Sequence, residues 1–194
     1  RIIESELEKN KITLQLKITN NSELIIPSGE LMIVIDSSLS MNEIVEGEIT
    51  RKDIVLESAN KLVKSLLEAN PTSLKIGVVT FSTSSELNEE GHVIIGTEAD
   101  AQKVCDFTNN ITDLTSKISA IEGTGQYTNL DSGLLLAKQQ FSSENTKKYM
   151  IVLTDGLPNV AVENNDLVTY SGLTQIITKT KSTLKSLENI ELIT

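Results

Sequence analysis

Three short stretches of this chain are rich in small oxygen-bearing side chains. Asp36-Ser37-Ser38-Leu39-Ser40-Met41 spells Asp-x-Ser-x-Ser, Thr128 follows the glycine-bearing run Gly123-Thr124-Gly125-Gln126-Tyr127, and Thr154-Asp155-Gly156 carries a second carboxylate. In an irregular loop alternate residues can point the same way, so Asp36, Ser38 and Ser40 can converge on one point. Two carboxylates (Asp36, Asp155) and three hydroxyls (Ser38, Ser40, Thr128) make an all-oxygen donor set, which suits a hard cation. Mg²⁺ is the first choice, with Mn²⁺ or Ca²⁺ served by the same chemistry. Mg²⁺ keeps waters, so an acidic side chain from outside could complete its shell. Softer metals are poorly served, because the chain has one cysteine, Cys105, and one histidine, His92. Each stretch also has an ordinary structural reading. Asp and Ser cap helices and make turns, Thr128 could be the N-cap of a following helix, and Asp155-Gly156 could be a simple turn.

The elements that would bring these loops together can be read from hydrophobic patterning. Leu31 to Ile35, Ile76 to Phe81 and Tyr149 to Leu153 are short, apolar and rich in β-branched residues, as expected of strands buried on both faces. Ile54, Val55, Ala59, Leu62, Val63, Leu66 and Leu67 recur at helical spacing and stop at Asn70-Pro71. Further helices are expected near Ala101 to Ile121, Asn129 to Phe141 and Thr174 to Leu187, with a last strand at Ile190 to Ile193. Alternating strands and helices predict an α/β, doubly wound, mostly parallel central sheet flanked by helices, with ligands beyond the carboxyl ends of the strands. Two of the oxygen-rich stretches directly follow predicted strands. Residues 11–19 alternate apolar and polar, so residues 1–29 read as an N-terminal β-strand extension to a domain spanning 30–194. Glu86 to Ile95 reads as an edge hairpin.

The order and separation of Asp36-Ser37-Ser38-Leu39-Ser40-Met41, Thr128-Asn129 and Thr154-Asp155-Gly156 resemble the metal-ion-dependent adhesion site of von Willebrand factor type A domains, over roughly residues 30 to 194. That family has a Rossmann-like sheet wrapped by helices. The resemblance implies direct ligation by Ser38, Ser40 and Thr128, with Asp36 and Asp155 acting largely through water, and a protein partner that offers Asp or Glu to the ion. It further implies an adhesion module of a Gram-positive surface or pilus protein, located outside the cell, with any leader and anchor beyond this sequence. Bacterial members often have Gly where Leu39 stands, so an apolar side chain is expected beside the ion. The apolar end at Ile190 to Ile193 suggests a domain cut short of its last strand and helix.

Composition narrows the alternatives. A formal charge of -10 disfavours phosphate backbones and anionic lipid. No apolar run is long enough to cross a bilayer as a helix. Cys105 reads as a small buried hydrophobe, His92 receives no role, and Asp131 is a candidate second-sphere acceptor. No general base stands beside the proposed site, so an enzyme is not expected. Two other readings remain: a structural or assembly module, including the intracellular type that works beside ATPases, in which the ion only stiffens loops, and a Mg²⁺-dependent phosphatase with Asp36 as nucleophile. The phosphatase reading is weakened because Ser38 stands where a second Asp is usual.

Overall fold

The computed structural model describes residues 28–83, 89, 100–163, 166–168 and 173–193. Of the expected N-terminal extension at 1–29 only Ser28 and Gly29 are described, Gly29 opening the first strand of the sheet, and all but Glu89 of the expected hairpin at 86–95 lies outside the described residues. In chain order the elements are β1 (Gly29–Asp36), a 3-10 turn (Leu39–Asn42), β2 (Ile44–Glu46), β3 (Ile49–Thr50), α1 (Arg51–Ala69), β4 (Leu74–Phe81), β5 (Ala101–Thr108), α2 (Ile111–Ser119), α3 (Leu130–Gln140), β6 (Lys147–Leu153), β7 (Ala161–Glu163), β8 (Asp166–Val168), α4 (Leu173–Lys185) and β9 (Glu191–Ile193). Five strands form the main sheet in the order β5-β4-β1-β6-β9. β4, β1, β6 and β9 run parallel, and β5 pairs antiparallel with β4. No helix among the described residues is long and apolar enough to cross a membrane.

The apolar run of β1 is buried on both sides because its two faces meet different helices. Leu31, Ile33 and Ile35 pack with Leu56, Ala59, Val63, Leu66 and Leu67 of α1 and Leu114 and Ile118 of α2. Met32 and Val34 face the opposite way, among Val79, Phe81, Leu134, Ala137, Met150 and Leu187. Each fully buried side chain of this size contributes about 1.5–3 kcal/mol of transfer free energy. Helix α1 starts at a reciprocal cap: Thr50 Oγ1 accepts from the Asp53 amide at 3.1 Å, and Asp53 Oδ2 accepts from the Thr50 amide at 2.8 Å.

The register sets the site. Asp36 lies opposite Phe81, and Ile35 opposite Leu153, so β1, β4 and β6 end level with one another. The loops after β1 and β6 therefore leave the sheet at the same edge, as the strand assignments require.

The expected helix at Ala101 to Ile121 is corrected. Residues 101–108 form the edge strand β5, and only 111–119 are helical. Its pairing with β4 is irregular between Ile76 and Val78 and again between Val78 and Val79. Consequently the adjacent residues Val104 and Cys105 both pack against the same core cluster. A bulged strand loses its two-residue period and imitates a helical stripe. The boundary is marked by Asn110, whose Oδ1 accepts from the Asp113 amide at 3.1 Å and caps α2. The small antiparallel pairs β2–β3 and β7–β8 occupy stretches that read as loops.

Candidate metal centre

Asp36 is the last residue of β1 and is 1% exposed. Its Oδ1 accepts from the Ser38 amide at 2.8 Å and its Oδ2 accepts from Thr154 Oγ1 at 2.7 Å. Burial pushes its carboxyl above the ordinary range, against the lowering effect of those hydrogen bonds, and the charge of Asp155 pushes it in the same direction as burial. From Ser38 a second chain of contacts runs outward. Ser38 Oγ and Ser40 Oγ are 3.0 Å apart, and Ser40 Oγ donates to Asp155 Oδ1 at 3.0 Å. Ser38 opens the 3-10 turn, yet its side chain makes no cap hydrogen bond there. The simple capping role is thus not the use of this hydroxyl, although the bond from the Ser38 amide to Asp36 is an ordinary Asx turn.

The loop at 123–129 is stitched to the first loop by its backbone. The Leu39 amide donates to Gly125 O at 2.7 Å, the Thr124 amide to Ser37 O at 3.0 Å, and Asn42 Nδ2 to Gly123 O at 2.8 Å. Gly125 is required by this close approach: a Cβ there would sit 2.1 Å from Ser82 Oγ and 2.6 Å from Thr83 O. Thr128 is 4% exposed. Its amide donates to Asn159 Oδ1 at 2.8 Å, and the Asn159 amide donates back to Thr128 O at 3.2 Å. Thr128 is thereby tied to the loop that carries Asp155. The N-cap of α3 is Asn129, whose Oδ1 accepts from the Ser132 amide at 3.3 Å. The capping reading of Thr128 therefore fails.

Asp36, Ser38, Ser40 and Asp155 form one connected cluster through direct bonds, whereas Thr128 is bonded to Asn159, on the loop that carries Asp155, and not to those four. Asp131, the candidate second-sphere acceptor, has a bond of its own away from the cluster. It is buried in α3 and accepts a hydrogen bond from Thr183 Oγ1 of α4, so it fastens two helices together. Three contributors were not read from the sequence. Thr154 donates to Asp36, Asn159 holds Thr128, and Arg51 Nη1 lies 2.6 Å from Asp155 Oδ2 while its Nη2 lies 2.7 Å from Glu43 Oε2. Thr154 had a signal, its place between a buried strand and Asp155. Arg51 had none beyond following the capping residue Thr50.

No group of three or more His, Cys, Asp or Glu side chains suited to a metal occurs among the described residues. An ion here would have to add hydroxyl, backbone or water oxygens to the two carboxylates. Adjacent ligands on an octahedron with Mg²⁺–O bonds of about 2.0–2.1 Å stand about 3 Å apart. The Ser38 to Ser40 separation of 3.0 Å fits that edge.

The comparisons with known proteins agree with this architecture. The von Willebrand factor type A domain profile matches residues 31–157. No curated protein sequence matches the chain. Among solved structures, the three N-terminal domains of the type V pili tip protein Mfa5 from Porphyromonas gingivalis are similar at TM-score 0.55 and 22% identity, over 75% of this chain and 22% of that one. The pilus adhesin SpaC from Lactobacillus rhamnosus GG is similar at TM-score 0.60 and 18% identity, over 87% and 24% respectively. The conserved hypothetical protein BatB from Bacteroides thetaiotaomicron gives TM-score 0.55 and 17% identity, over 84% and 64%. The chain spans under two thirds of each of these proteins' own length. At these identities the structural likeness speaks for the fold, and the profile match over most of the chain supplies the family: this chain belongs to the von Willebrand factor type A domain family.

Proposed function

We propose that this domain is a non-enzymatic protein-binding module that holds an acidic side chain of a partner through a divalent cation, Mg²⁺ first. The observation that carries the reading is the pair of hydroxyls, Ser38 and Ser40, 3.0 Å apart and bonded onward to Asp155, with buried Asp36 behind them. Ser38, Ser40 and Thr128 are the direct ligands in this reading, and Asp36 and Asp155 supply charge. The ion, when bound, offers an electrophilic position to a carboxylate. Mn²⁺ and Ca²⁺ are the alternative occupants. The likeness to a pilus tip protein and a pilus adhesin supports a place on a bacterial cell surface.

The rim of the site fits a protein partner. Leu39 is 49% exposed beside the serines, Leu157 is 64% exposed just past Asp155, and Ile44 is 68% exposed on the neighbouring hairpin. Exposed apolar side chains around a polar centre are the usual make-up of a protein contact. A scaffolding role, in which an ion only stiffens loops, is less well supported. The backbone bonds from Leu39 to Gly125 and from Thr124 to Ser37 already hold the loops together.

The reading is tested by calorimetric titration of Mg²⁺ into the wild type and into an Asp36→Ala, Ser38→Ala double variant. Saturable heat in the first and none in the second is expected. Equal heats in both would refute the site.

A further inference from the structure

Beyond the five oxygen donors, one cation already belongs to this site. The Arg51 guanidinium bonds Asp155 Oδ2 at 2.6 Å, on the carboxylate whose other oxygen accepts from Ser40 at 3.0 Å. It is held there from behind. Its second nitrogen pairs with Glu43 Oε2 at 2.7 Å, and its own amide donates to Glu43 O at 3.0 Å. Arg51 is also the first residue of α1, where the Thr50–Asp53 cap fixes the backbone. A side chain tied at both ends loses little further entropy in keeping this position, and a guanidinium keeps its charge at any ordinary pH.

We propose that Arg51 sets the charge of the metal centre, weakening its hold on the ion while strengthening its attraction for an incoming carboxylate. The inference rests on the metal-site reading above. Asp36 and Asp155 alone would bring a divalent ion to neutrality, leaving little net attraction for a further anion. With Arg51 bonded to Asp155, the centre carries one positive charge in excess when filled. The Arg51 side chain is 39% exposed but its partner Asp155 only 9%, so part of this charge reaches the ion unscreened. Glu43 is mostly exposed, so its opposing charge is screened more strongly. Arg51 would therefore set which chemistry the site favours, an anionic protein side chain over the bare cation.

The test uses the whole chain and needs no partner. Mg²⁺ is titrated calorimetrically into wild type, Arg51→Gln, Arg51→Lys and Glu43→Gln, with thermal melts to confirm folding. Removing the charge should tighten Mg²⁺ binding by about three- to tenfold, and Lys, which keeps the charge, should stay near wild type. Glu43→Gln should weaken Mg²⁺ binding, the opposite sign. In the Mn²⁺-loaded proteins, acetate displacing metal-bound water, read by water-proton relaxation, should need a higher concentration in Arg51→Gln than in wild type. An Arg51→Gln protein that folds yet binds Mg²⁺ no more tightly than wild type, or equal acetate midpoints, would overturn the proposal. If Arg51→Gln does not fold, Arg51→Ala takes its place, and Mg²⁺ binding no tighter than wild type there, or tighter binding in Glu43→Gln, overturns it. A wild type that gives no Mg²⁺ heat refutes the underlying site instead, which separates the two failures.

Discussion

Ser40 Oγ donates to Asp155 Oδ1 at 3.0 Å, joining residues 115 positions apart in the chain. The bond exists because β1 and β6 are parallel neighbours in register, with Ile35 opposite Leu153, so the loops that follow them start side by side. A parallel sheet of this kind brings distant loops together without any local sequence link between them.

The paired hydroxyls are expected to act together. A Ser38→Ala, Ser40→Ala variant should keep its fold, since neither serine fills the apolar core, and should lose Mg²⁺ affinity by about 100-fold or more, above the 10–100-fold typical of outer-shell changes. Calorimetry with a far-UV circular dichroism control measures this, and a loss under about threefold would contradict the ligand assignment.

Gly125→Ala is expected to be costly although the residue is small. The new methyl would meet Ser82 Oγ and the Thr83 carbonyl far inside van der Waals contact. Relieving this must shift the loop that accepts from Leu39, at about 1–3 kcal/mol of stability. Urea unfolding reads the stability loss, and Mg²⁺ affinity should fall in parallel because the loop also carries Thr128.

Leu39→Ser should do the reverse. With its side chain half exposed, the change should alter stability by no more than about 0.5 kcal/mol and leave Mg²⁺ affinity as in wild type. A fall in melting temperature of many degrees would show that Leu39 is structural and not part of a contact surface.

Cys105 gives a pH-dependent prediction away from the site. Burial pushes its thiol above the reference value of 9.0, and its hydrogen bond to Asp113 adds to the effect, while Lys117 opposes both. A group with a raised folded pKa keeps the native state more protonated than the unfolded chain. Its contribution to stability is therefore complete below about pH 9 and declines as pH rises from there toward the folded value. Native protein should react slowly with iodoacetamide at pH 8 and rapidly once unfolded in guanidinium chloride. Fast alkylation of the native form would show the thiol to be accessible.

Much of the architecture was legible because it is encoded locally. The runs at 31–35, 76–81 and 149–153 are apolar without alternation, since a strand covered on both faces has no polar side to display. Helix α1 announced itself through its periodicity and the proline after it. The grouping of Asp36, Ser38, Ser40 and Asp155 was legible as well, through their types and their positions after strands that end at one edge of the sheet. Strand β5 was not, because a bulged edge strand owes its conformation to β4, a partner at a distance, and its own pattern resembles a helix.

From the sequence alone came the side-chain types in the proposed site, oxygen-bearing with almost no nitrogen or sulfur donors in the chain, and the parallel α/β scaffold that carries them. Tertiary structure decided who touches whom. It made Asn129 and not Thr128 the cap of α3, turned Asp131 toward Thr183, and placed Arg51 on Asp155. Side-chain type and periodicity are written residue by residue, whereas pairing across more than a hundred residues depends on strand register and helix packing, which exist only once the whole sheet has formed.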